Sequence, residues 1–315
     1  MSNLRQRAGT RAHIVSPTII QTALGPVEYA SYGEGPAIIA LHGGMGGYDQ
    51  SLLLARAAIS ASRFRILAIS RPGYLGTPLS VGPTPEKQAD LCEALLDALG
   101  IEKAAVIAVS AGGLPALQFA LRHPKRCWGL VLISTASGHL APPPEVPQRL
   151  AAMKALSRIP FVMAAMRWRV RLAPEAAAQR SIAAPELRRR TLDHPEAGPL
   201  MNALSASVLE RLPERLPGVT NDMAQLEAVG AYPLQDIAAP VLVVHGTGDR
   251  VVPFSHALAV ANGLAGSELM AIEGGEHVSL FTHLDAIRER VGIFLARHAP
   301  SGSTPAIASA DAGNL

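Results

Sequence analysis

Six short apolar runs recur along the chain, at 37–41 (AIIAL), 64–69 (FRILAI), 104–109 (AAVIAV), 129–134 (GLVLIS), 241–244 (VLVV) and 268–272 (ELMAI). Runs this short and nearly unbroken suit strands buried on both faces of a parallel sheet. Between them lie longer Ala/Leu-rich stretches with helical spacing. One opens at Thr84-Pro85-Glu86-Lys87, an N-cap Thr with Pro at the first helical position, and runs to Leu99 before Gly100 ends it. Another occupies 114–122. Strands alternating with helices imply βαβ crossovers, and so an α/β fold with a doubly wound, mostly parallel sheet.

That rhythm stops between 138 and 234, where helix formers are interrupted by prolines. Within it, Phe161, Met163, Met166 and Trp168 sit on an apolar run edged by Arg158, Arg167, Arg169 and Arg171. A helical excursion between two strands reads as a lid over the strand ends; an extra helical subdomain with no role in the site is the alternative. The expected organisation is a core at 17–137 and 235–299, a helical cap at 138–234, and flexible termini at 1–16 and 300–315.

Composition narrows the classes. The chain has 315 residues, 49% hydrophobic and 17% charged, ample for a large core and unlike a disordered protein. The net charge of +3 comes from scattered Lys and Arg. The densest cluster, Arg188-Arg189-Arg190, falls in a helical stretch where a solvated face explains it, so no nucleic-acid partner is expected. Cys92 and Cys127 form no CxxC and have no His at metal spacing; both read as buried small hydrophobes rather than a disulfide or metal pair. The arginines at 5, 7 and 11 precede no apolar signal core, and no stretch of about 18 apolar residues follows. The expectation is a soluble, cytoplasmic monomer or homodimer with no membrane partner.

The candidate chemistry begins at Val106-Ile107-Ala108-Val109-Ser110-Ala111-Gly112-Gly113-Leu114, where a strand runs into Ser and a helix starts. A nucleophile gains there from free N–H groups and the helix dipole. So tight a turn demands small residues two before and two after the Ser, here Ala108 and Gly112, a variant of G-x-S-x-G. Asp249 follows the strand and loop Val241–Gly248, and His277 lies in Gly274-Gly275-Glu276-His277, after the last strand candidate. Each is ordinary alone; Ser, Asp and His in that order at successive strand ends is specific. Leu41-His42-Gly43-Gly44-Met45-Gly46-Gly47 adds a glycine-rich loop with no Gly-Lys-Ser/Thr ending, which disfavours a phosphate cradle.

His42-Gly43-Gly44, Ser70-Arg71-Pro72-Gly73-Tyr74, the Ser110 turn, His245-Gly246-Thr247-Gly248-Asp249 and Gly275-Glu276-His277 together resemble the landmarks of the α/β-hydrolase superfamily, over roughly residues 30 to 297. The resemblance implies a serine hydrolase with Ser110 as nucleophile, Asp249 as orienting acid and His277 as base. The main-chain N–H groups of Gly44 and Ala111 would form the oxyanion hole. His42 and His245 would fix loops, and Arg71-Pro72-Gly73 would form a structural turn. No metal and no organic cofactor is called for. Met45, Phe161, Met166 and Trp168 are the expected substrate contacts for a small-molecule acyl substrate, and His139 at the lid entrance reads as a loop cap, with a substrate contact as the alternative. The leading reading is a carboxylic esterase acting through an acyl-enzyme. Proline iminopeptidase-like aminopeptidases, in which Pro usually stands where Met45 does, carbon–carbon bond hydrolases, lactonases, acyltransferases and a non-enzymatic small-molecule receptor remain open.

Overall fold

The computed structural model describes residues 15–59 and 63–300. The tails expected at 1–16 and 300–315 therefore lie outside the described residues, except for Val15, Ser16 and Pro300.

The described residues build one eight-stranded sheet from β1 (Thr18–Thr22), β2 (Gly25–Tyr32), β3 (Ala37–Leu41), β4 (Arg65–Ile69), β5 (Ala104–Val109), β6 (Cys127–Ile133), β7 (Val241–Gly246) and β8 (Glu268–Ile272). Their spatial order is β1-β2-β4-β3-β5-β6-β7-β8. From β4 to β8 all pairs are parallel, whereas β2 runs antiparallel to both β1 and β4. The six strands expected from the apolar runs are present. The antiparallel edge was not foreseen, because β1 is largely exposed and β2 mixes polar with apolar residues.

Side-chain alternation splits the core into two layers. Ile39 and Leu41, Val106 and Ala108, Leu130 and Leu132, Val241 and Val243 face one layer, with helices α2 (Pro85–Ala98), α3 (Gly113–Arg122) and α10 (Ser255–Gly263). Ile38 and Ala40, Ala105 and Ile107, Val131 and Ile133, Leu242 and Val244 face the other, with α1 (Tyr48–Ala58) and α11 (Leu284–His298). Thr84 caps α2 as expected, its hydroxyl accepting from the Lys87 N–H at 3.3 Å. Both cysteines are buried and unlinked, and burial pushes each thiol up to about 12.

Between β6 and β7 run α4 (Glu145–Leu156), α5 (Pro160–Leu172), α6 (Pro174–Ala178), α7 (Pro185–Asp193), α8 (Ala197–Ser207) and α9 (Leu212–Ala228). The apolar run at 153–172 is thus two helices, broken before Pro160. The arginine triplet departs from a wholly solvated face. Arg188 is buried, and its Nη1 donates to the Ile182 carbonyl at 2.9 Å, because the helical turn carries it inward while Arg189 stays outside.

Candidate functional site

The sheet reverses its order between β3 and β5, since β3 is followed in space by β4 on one side and by β5 on the other. Loops leaving these two strands diverge to opposite faces, α1 to one and α3 to the other, which opens a crevice at the carboxyl ends of the strands. His42-Gly43-Gly44 leaves β3 and Ser110 leaves β5, so both reach that crevice.

Ser110 takes φ +54°, the left-handed region, after an extended Val109 at φ −129°. Such a turn strains a residue with a Cβ, at about 1–3 kcal/mol, and lifts its side chain clear of the strand. The turn closes against the β3 end so tightly that a Cβ at Gly112 would lie 2.7 Å from the carbonyl oxygens of Leu41 and His42. The sequence requirement for a small residue there is this close approach.

His277 Nε2 lies 3.2 Å from Ser110 Oγ, and His277 Nδ1 lies 2.8 Å from Asp249 Oδ2. An ionised carboxylate can only accept, so Nδ1 carries the proton and Nε2 is the ring atom free to accept from the hydroxyl. The Val251 and Val252 N–H groups donate to Asp249 Oδ1 at 2.8 and 2.9 Å. Burial pushes the Asp249 carboxyl upward. Hydrogen bonds from His245 and His277, with the remaining charge and backbone contributions, outweigh burial and hold it well below the usual carboxylate range. His245 Nε2 donates to the Val252 carbonyl at 2.9 Å, fixing the loop that presents Asp249.

Two peptide planes are oriented around the serine. The Gly43 carbonyl accepts from His42 Nδ1 at 2.7 Å and from Arg71 Nη2 at 3.3 Å. In a trans peptide the carbonyl and the following N–H point opposite ways, so the Gly44 N–H faces away from Arg71. Likewise the Ser110 carbonyl accepts from the Ala136 N–H at 3.1 Å, which turns the Ala111 N–H away from Ala136. His42 is fully buried; its Nε2 accepts from the Arg71 N–H at 3.0 Å, so the proton sits on Nδ1. Burial, reinforced by the Arg71 charge, lowers its pKa well below 6.5 and keeps it neutral.

A cavity of about 260 Å³ adjoins Ser110 and His277. Gly43, Gly44 and Met45 line it from the β3 loop; Met201, Leu204, Ser205 and Val208 line it from α8 and just beyond; Val278, Leu280 and Phe281 follow His277. Apart from His277, its described lining carries no ionisable side chain. Among the described residues no three His, Cys, Asp or Glu side chains gather as metal ligands would.

A family model described as the alpha/beta hydrolase fold matches residues 36–284. The chain belongs to the α/β-hydrolase fold family. It is 30% identical to a pimeloyl-[acyl-carrier protein] methyl ester esterase of Aromatoleum aromaticum, over 79% of this chain and 93% of the relative. A 2-hydroxy-6-oxononadienedioate/2-hydroxy-6-oxononatrienedioate hydrolase of Klebsiella pneumoniae is 28% identical over 74% of this chain and 77% of its own. Among solved structures, an alpha/beta hydrolase fold protein from Nakamurella multipartita superposes with a TM-score of 0.75 at 32% identity, covering 87% of this chain and 97% of that one. The protein is accordingly a hydrolase of this family.

In this α/β-hydrolase the expected pocket residues part company. Met45 lines the cavity. Phe161 and Trp168 do not; both stand exposed on α5. Met166 lines a separate hollow with Val170 and Leu209. The reason is helical phase: the inner face of α5 presents Met163, Met166 and Val170 to Leu209, Leu212 and Leu216, which turns Phe161 and Trp168 outward. The wall comes instead from α8, whose Met201, Leu204, Ser205 and Val208 recur at i, i+3, i+4 and i+7, a signal legible in the sequence but outweighed by the aromatics of α5. His139 holds the Glu227 carbonyl at 2.8 Å through Nδ1, as a loop contact.

One feature of the hydrolase has no sequence signal. Asp222 on α9 accepts from Arg71 Nη1 at 2.9 Å, from Arg71 Nη2 and from the Tyr74 hydroxyl at 2.6 Å. Arg71, itself buried, reaches back to the His42 carbonyl at 2.8 Å through Nε. Nearby, Arg215 of α9 joins Asp49 at 2.6 Å and the Met45 carbonyl at 3.4 Å. Helix α9 thereby grips the loop carrying Gly44 from two sides.

Proposed function

We propose that this hydrolase cleaves carboxylic esters, or closely related acyl bonds, of uncharged substrates through an acyl-enzyme on Ser110. The observation that carries this reading is the hydrogen-bonded run Ser110–His277–Asp249 opening onto an apolar cavity.

In the proposed reaction His277 Nε2 takes the Ser110 proton as Oγ bonds to the acyl carbon. The carbonyl oxygen becomes an oxyanion, received by the N–H groups of Gly44 and Ala111. Asp249 balances the imidazolium. Collapse breaks the bond to the leaving group, which takes the proton from His277. Water then attacks the acyl-enzyme, giving its proton to His277; the free acid leaves, and the proton returns to Ser110.

The lining also bears on the alternatives. A nonadienedioate, the substrate class in one relative's name, carries two carboxylates, and recognition of carboxylates favours Arg or Lys. A free N-terminal ammonium favours Asp or Glu. The cavity's described lining offers neither, which supports a neutral acyl group over both. Its about 260 Å³ lies just below the usual range of ~300–1,000 Å³ for ligand sites, which favours a short or medium chain.

A fluorophosphonate probe followed by nitrophenyl esters of graded length tests this reading. Wild type should label and turn over, and Ser110→Ala should do neither. Labelling that persists in Ser110→Ala would remove the serine from its role. Labelling of wild type without turnover on an ester, lactone and amide panel would point to a receptor.

A further inference from the structure

Ten large apolar side chains stand exposed among the described residues, and five of them fall within 156–172: Leu156, Ile159, Phe161, Trp168 and Leu172. Such crowding is unlike the scattered exposure ordinary for a soluble surface. Phe161, Trp168 and Leu172 are 76%, 66% and 62% exposed, and with Ala165 they recur at i, i+4, i+7 and i+11. Helix α5 therefore carries two apolar stripes. The inner one packs on Leu209, Leu212 and Leu216, against which Met45 also lies, and the outer one meets solvent.

Charge identifies what covers it. From the start of α4 to the end of α5 the chain carries Arg149, Lys154, Arg158, Arg167, Arg169 and Arg171 against one acid, Glu145, at the first residue of α4. Arg171 shares Glu210 at 3.2 Å. We propose that this face of α4 and α5 docks on an anionic lipid surface, with Phe161, Trp168 and Leu172 entering the acyl boundary and the arginines reaching headgroup phosphates. A second copy would set like charges against each other. Anchors that bind a protein fill matching pockets, whereas three large exposed side chains on one helix stripe enter a fluid layer without any, and long basic side chains snorkel to its headgroups. No described helix is long and apolar enough to cross a membrane; α5, with 13 residues, lies along the surface instead. This departs from the expectation, drawn from the absence of a spanning segment, that the protein has no membrane partner.

The chain has two tryptophans, and Trp128 is buried, so Trp168 reports on the patch. Phosphatidylglycerol vesicles should float the full chain and shift its emission to the blue; phosphatidylcholine vesicles should do neither. Trp168→Phe should lose the shift. Phe161→Ser with Leu172→Ser should weaken flotation at least about tenfold. Arg167→Gln with Arg169→Gln should weaken it about twenty-fivefold, at about fivefold per arginine, while leaving turnover of a soluble short ester unchanged. No flotation by phosphatidylglycerol at low salt would overturn the proposal, as would undiminished flotation in both double variants. A blue shift with soluble polyglutamate but not vesicles would give the face to an acidic protein. A shift that tracks protein concentration alone would give it to a second copy.

Discussion

Replacing Asp222 by Ala removes the counter-charge of a buried arginine. In the folded protein Asp222 accepts two bonds from Arg71 and one from Tyr74, and all three groups are buried. Burial alone would lower the Arg71 pKa, and the Asp222 carboxylate outweighs it and raises the value; a guanidinium is too basic to deprotonate near neutral pH, so it stays charged when that partner is lost. Breaking such a buried pair by removing one member costs about 3–5 kcal/mol, read as a drop in urea-unfolding free energy. Removing both members, as in Arg71→Met with Asp222→Leu, leaves no stranded charge. Both variants strand the Tyr74 hydroxyl, so the double variant adds only the His42 carbonyl, at about 1–3 kcal/mol, where the single one adds the larger cost of a stranded charge. The two variants should therefore stand in the order double above single. Turnover separates the roles further: the double variant frees the loop holding Gly44, so kcat should fall with KM little changed. If Asp222→Ala costs under about 1 kcal/mol, the level of an exposed pair, or if the double variant is the less stable of the two, the reasoning fails.

Three further outcomes are expected. His42 is buried neutral with a lowered pKa, so the folded state binds fewer protons than the unfolded one below pH 6.5; the stability tied to this neutrality is full above 6.5 and drains as pH falls toward the folded value. Urea titrations between pH 6.5 and 5.5 should show a contribution of up to about 1.4 kcal/mol per pH unit that is missing in His42→Gln; equal slopes would contradict it. Ser110→Gly, which relieves the left-handed turn at φ +54°, should be about 1–2 kcal/mol more stable than Ser110→Ala, both being inactive; equal melting curves would mean the turn is unstrained. Leu204→Ala should widen the cavity and raise the octanoyl-to-butanoyl ratio of kcat/KM about tenfold, and an unchanged ratio would take α8 out of the acyl wall.

The sequence by itself determined the parallel sheet and the three residues at its strand ends. Strands buried on both faces must be apolar throughout, and a strand-to-helix turn at Ser110 admits only small neighbours at 108 and 112, so local chemistry writes both features into consecutive residues. Asp249 and His277 were legible for the same reason, each lying in a glycine-bearing loop after a strand. Only the tertiary structure decided which helix walls the cavity, because α5 and α8 both have apolar stripes and periodicity states that a stripe exists without stating what it meets. It alone decided that Asp222 holds Arg71 across 151 residues of chain, that Arg188 turns inward, and that β1 and β2 close the sheet antiparallel. Those outcomes depend on partners distant in sequence, and a carboxylate on a helix looks the same whether water or a buried guanidinium stands beside it.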